Sequence, residues 1–120
     1  MQALVIPVEG PLYDLDVPGH GLDTLQEAVG GSIEAVPLPE FIDRTGRSTA
    51  YVNEEGKYDP ACKPNMRATD FLVPGIGLFA GDYIAGPLVL CGFNPETGGH
   101  AKLPASVIAR ARLIEREAGA

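Results

Sequence analysis

The sequence predicts one α+β domain over residues 1–120. It is built on a single mixed β-sheet, with a short helix after an N-terminal hairpin and an amphipathic helix at the C-terminus. Three observations carry this. A chain of 120 residues, 45% of them hydrophobic, is enough for one core and short for two. Apolar runs of alternating or branched residues are cut repeatedly by 15 Gly and 11 Pro, which calls for short elements joined by turns. With no Trp and 7% aromatic residues, the core must be Val, Leu, Ile and Ala.

In order, QALVIPV (2–8) is a branched apolar run and LYDLDV (12–17) alternates, with Glu-Gly-Pro between them; that is a hairpin. LDTLQEAVGG follows, with Asp23 as its N-cap, Gln26 three residues on, Leu22, Leu25 and Val29 on one face, and Gly30-Gly31 as the stop. SIEAVPL (32–38) alternates again and reads as a strand that ends at Pro39. TAYVN and a partner strand starting at Lys57 would form a second hairpin, with Glu54, Glu55 and Gly56 at its tip and Gly56 supplying positive φ.

From Asp59 to Phe71 the chain is irregular, though NMRATDFL can form one or two helical turns capped by Asn65. LFAGDYIAGPLVLCGF (78–93) reads as a turn and one or two strands, and NPETGGH as a loop. The last element has Pro104 in its first turn, an apolar line through Val107, Ala111 and Ile114, and Arg110, Arg112, Arg116 and Glu117 turned outward. This order resembles a β-grasp arrangement.

Net charge is −7, distributed unevenly. Residues 1–43 hold eight acidic side chains and no Lys or Arg, whereas the remainder is nearly balanced. An acidic first third repels nucleic acid, so direct DNA or RNA binding is not expected. It either keeps the protein soluble or forms a face for a basic partner. No apolar run approaches the roughly 20 residues that span a bilayer, and the N-terminus has neither a basic head nor a cleavage signal, so a cytoplasmic protein without membrane contact is expected. Cys62 and Cys91, with no CxxC, read as two reduced thiols.

Little in the chain has the spacing of catalysis. His20, Cys62, Cys91 and His100 lack a metal-ligand pattern, and no metal or other cofactor is expected. Cys62 has Lys63 beside it, which can activate a thiol only if the two meet in space. PGIGLFAGD lacks the lysine and following helix of a phosphate loop and reads as a turn. The remaining cluster is polar: Asn53, Glu55 and Lys57, then Asn65, Arg67, Thr69 and Asp70. Arg67 can grip a carboxylate or phosphate as a fork, with Asn65 and Thr69 beside it. The plainer alternative has Asn65 as a cap, Thr69 on the helix surface and Arg67 paired with Asp70.

LQEAVGGSIEAV (25–36), YVNEEGK (51–57), PNMRAT (64–69) and GDYIAGPLVLCG (81–92), in that order, resemble the domain-of-unknown-function family 3846. The family pattern often has an arginine directly after the asparagine; here Met66 intervenes before Arg67. The resemblance implies a small phage or mobile-element protein and no assigned activity. The expectation is therefore a non-enzymatic accessory protein that binds a host protein in the host cytoplasm, with a counter-defence or host-takeover role. A binder of a small phosphorylated ligand, such as a nucleotide, is the alternative, and an enzyme using Cys62 or Glu55 is least favoured. A homo-oligomer is compatible with a short sheet that leaves apolar surface to cover.

Overall fold

The structure is a computed structural model that describes residues 2–18, 21–72 and 83–119. In chain order the elements are β1 (Gln2–Ile6), β2 (Tyr13–Asp16), α1 (Leu22–Val29), β3 (Ile33–Pro37), β4 (Ser48–Asn53), β5 (Pro64–Asn65) and α2 (Met66–Leu72). They continue with β6 (Ile84–Ala85), β7 (Leu88–Phe93), β8 (His100–Ala101) and α3 (Ala105–Gly119). The class is α+β as predicted. His20 and the PGIGLFAGD turn lie outside the described residues, as does the first part of the 78–93 segment.

The main sheet runs β2-β1-β7-β4-β3, with β8 joined to β7, and β5 and β6 form a separate ribbon. Among the described residues all six pairings are antiparallel, where the sequence suggested a mixed sheet, and this order does not confirm the β-grasp resemblance. β7 sits between β1 and β4, which explains its unbroken apolar run: a strand covered on both faces has no solvent side to alternate toward. Its Leu88 and Leu90, with Leu4, Ile6 and Ala50, pack against Phe71 and Leu72 of α2 and Val107 and Ala111 of α3. Val89 and Cys91, with Ala3 and Val5, pack against Leu25 and Val29 of α1 on the other face. The layers are thus α1, sheet, then α2 with α3.

Several local expectations change for physical reasons. α1 starts one residue earlier than its proposed cap: Gly21, at φ 82°, holds the N-cap position, and Asp23 falls in the first turn, where a carboxylate still complements the helix dipole. Gly30, at φ 83°, closes the helix by donating its N–H to the Gln26 carbonyl, as the sequence indicated. No second hairpin forms at residues 51–57. Both edges of β4 are taken, by β3 and β7, so a strand after Lys57 has no edge to join, and residues 54–58 are turns. Gly56 is required there because a Cβ would lie 2.9 Å from the Ala85 carbonyl oxygen; its φ is not positive.

Arg110 does not point away from the body. Its Nε donates to the Phe71 carbonyl at 2.7 Å and Nη2 to the Asp70 carbonyl at 3.1 Å, while the guanidinium lies over the Phe41 ring, 4.9 Å from its centroid. It joins α3 to the end of α2. Ten residues connect β3 to β4, and the buried Asp43 organises them. Its carboxylate accepts from Thr45 N–H at 2.9 Å, Thr45 Oγ1 at 2.5 Å, Arg47 N–H at 3.1 Å and Ser48 Oγ. Burial opposes its charge, but these four bonds outweigh it and hold the carboxyl below its ordinary 3.8.

Candidate functional site

The predicted polar cluster divides in two. Asn65 is fully buried where β5 passes into α2. Its Nδ2 donates to the carbonyls of Ile6 at 2.9 Å and Gly86 at 3.0 Å, and its Oδ1 accepts from Ala68 N–H at 3.0 Å, capping α2. Thr69 is buried too, not on the helix surface: its Oγ1 donates to the Asn65 carbonyl and accepts from Ile84 N–H, both at 2.8 Å. Arg67 makes a fork, but onto the chain's own backbone, with Nη1 at 2.6 Å from the Gly10 carbonyl and Nη2 at 2.5 Å from that of Pro7. It ties down the β1–β2 loop in place of the pair with Asp70, which is exposed.

Asn53 is the counterpart at the end of β4. It is buried, donates to the Val29 carbonyl at 3.1 Å and accepts from Glu55 N–H at 2.8 Å, so it fastens the end of α1 to the turn. Four of the seven side chains thus satisfy main-chain groups, as buried polar atoms must. Glu55 and Lys57 are exposed, and the Lys57 ammonium lies 5.5 Å from the centroid of the Tyr83 ring.

Beside that turn an open groove of about 630 Å³ lies on the sheet face that carries α2 and α3. Its floor is apolar, from Val36, Val52 and Ile84, and its rim carries Glu34, Glu54, Lys57, Tyr58 and Tyr83. Asn53 and Lys57 are the two predicted residues that line it. Glu34 faces Val52 across the β3–β4 ladder, so Glu34 and Glu54 stand as neighbours on one face, with the Lys57 cation elsewhere on the rim. Tyr58 is 86% exposed, an aromatic ring held in water beside an apolar floor. Glu34, Glu54, Tyr58 and Tyr83 were missed by sequence reasoning: the β3–β4 register sets Glu34 beside Glu54, and the fold brings Tyr83 to the Lys57–Tyr58 turn, its ring 5.5 Å from the Lys57 ammonium. Tyr58, next to Lys57 in the turn GKYDP, was the available signal.

The other openings fit less well. A cavity of about 600 Å³ between β1, β8 and α3 involves none of the predicted residues. One of about 470 Å³ contains Cys62. Burial and the Asp59 carboxylate push the Cys62 thiol up, so adjacency to Lys63 in sequence does not make it a thiolate. Burial likewise pushes Cys91 up to about 12. The two cysteines are not bonded to each other. Among the described residues no group of three or more His, Cys, Asp or Glu is arranged to hold a metal ion, and no helix is long and apolar enough to cross a membrane.

The acidic residues of the first third do not form one face. Asp43 is buried, and the exposed ones are shared among β2 and β3, at opposite edges of the sheet, α1 between them in sequence, and the loops. No curated protein and no solved structure matches the chain. The family model described as Domain of unknown function (DUF3846) matches residues 1–116, and the chain belongs to that family.

Proposed function

We propose that the protein is a non-enzymatic accessory factor of a phage or mobile element that works by binding a host protein in the cytoplasm, and that the groove beside β3 is its binding surface. One observation carries this reading. The groove joins an apolar floor to a rim of charged and aromatic side chains, the composition of a protein-recognition surface, while most of the remaining predicted cluster is bonded internally. The acidic pair on the rim disfavours a nucleic-acid partner.

A small phosphorylated ligand is the second reading, favoured by the Lys57 ammonium over Tyr83 and by a volume within the range of small-molecule sites. Native mass spectrometry of protein purified gently from a cell that carries its gene separates the two. The host-protein reading expects no small bound mass, a protein retained from lysate by the wild type, and loss of that protein from Lys57→Ala/Tyr58→Ala. A bound mass of nucleotide size moves the assignment to the second reading. Equal capture by the variant removes the groove from consideration.

A further inference from the structure

β3 is the last strand of the sheet, and among the described residues no strand lies beyond it. The Glu54 N–H donates to the Ser32 carbonyl at 2.8 Å, and this fixes the phase of the β3–β4 ladder. Glu34 and Val36 turn their main-chain groups toward β4, and Ile33 and Ala35 turn theirs outward. Pro37 takes the next outward position, where its missing N–H costs the ladder nothing. The side chains of Glu34 and Val36 meanwhile line the groove. A strand laid along β3 therefore gains main-chain bonds at Ile33 and Ala35 and sets alternate side chains over the apolar floor.

Charge decides which strand fits. A second copy of this chain, paired antiparallel about Ala35, would bring Glu34 diagonally near the partner's Glu34 on one face, between molecules that each carry −7. The neighbouring Glu54 would add to that repulsion. A segment with a lysine or arginine above Glu34 and Glu54 reverses the sign and leaves the main-chain bonds unchanged. We infer that β3 accepts an extended segment of a partner protein as an added strand, with a basic side chain set between Glu34 and Glu54. This rests on the reading of the groove as a protein-binding surface, and it names the backbone edge and the charge that the partner must present.

The test is selection of a displayed library of random dodecapeptides on the intact protein, followed by affinity measurements on the selected peptides. Expected are sequences that alternate β-branched residues with Lys or Arg. Their binding should weaken by about tenfold or more on Glu34→Lys, and should be lost when alternate peptide amides are N-methylated. Glu34 is exposed, so the variant folds, and its unchanged melting temperature is the control. Selected peptides without basic residues, or no selected peptide at all, would overturn the inference. Peptides that bind in the groove yet ignore N-methylation overturn strand addition alone and leave the groove as the binding surface. Peptides indifferent to both Glu34→Lys and Lys57→Ala/Tyr58→Ala remove the inference and the groove together. A dimer seen by sedimentation and dispersed by Ala35→Pro would assign the edge to a second copy instead.

Discussion

Residues 53–58 and 64–70 look alike as sequence, each with an asparagine, a basic residue and a carboxylate within a few positions, yet they have opposite fates. In the second stretch Asn65, Arg67 and Thr69 reach main-chain groups of β1, β6 and the β1–β2 loop, so its polarity is internal scaffolding. In the first Asn53 is used in that way, and Glu54, Lys57 and Tyr58 line the rim of a groove. A polar cluster marks a binding site only after the chain's own unpaired carbonyls and amides have been satisfied. Substitution can separate the two roles.

Asn65→Ala should have the largest effect. It takes one donor each from the carbonyls of Ile6 and Gly86 and removes the cap on Ala68 N–H, at a cost of about 3 kcal/mol in urea unfolding. A cost below about 1 kcal/mol would place Asn65 outside the scaffold. Arg67→Ala should cost about 1–3 kcal/mol, with Arg67→Lys recovering less than half, because a single ammonium cannot span the Pro7 and Gly10 carbonyls as the fork does. Full rescue by lysine would show that only charge matters there.

Asp43 extends the scaffold side of the comparison to pH. Its folded carboxyl is held below the ordinary 3.8, so its stabilising contribution is complete above that value and is lost as pH falls through the lowered folded one. Melting temperatures measured from pH 6 downward should therefore fall less steeply below about pH 4 for Asp43→Asn, from a lower starting point. Identical slopes for variant and wild type would contradict the assigned bonds. The smallest effect on stability belongs to the groove: Lys57→Ala and Tyr58→Ala should each change it by less than about 0.5 kcal/mol, while reducing partner capture.

The sequence made legible what local pattern decides. The β1–β2 hairpin, the glycine stop of α1, the alternation of β3 and the Val107–Ala111 line of α3 all follow from short-range spacing. It could not show that β4 lies inside the sheet, since that depends on pairing Ser48 with Gly92, far along the chain. Arg110 was misplaced for a similar reason. Helical spacing puts it at the border of the apolar face, and only the end of α2 supplies the carbonyls it reaches. Lys57 was found by its residue type, whereas Glu34 and Glu54 become neighbours only through the β3–β4 register.

The most direct measurement is amide hydrogen exchange on the protein alone and in complex with a partner captured from host cells. New protection is expected at β3, strongest at Ile33 and Ala35, and at the Gly56–Tyr58 turn, with residues 64–72 unchanged. New protection confined to residues 64–72, or to α1 and β2, would contradict it.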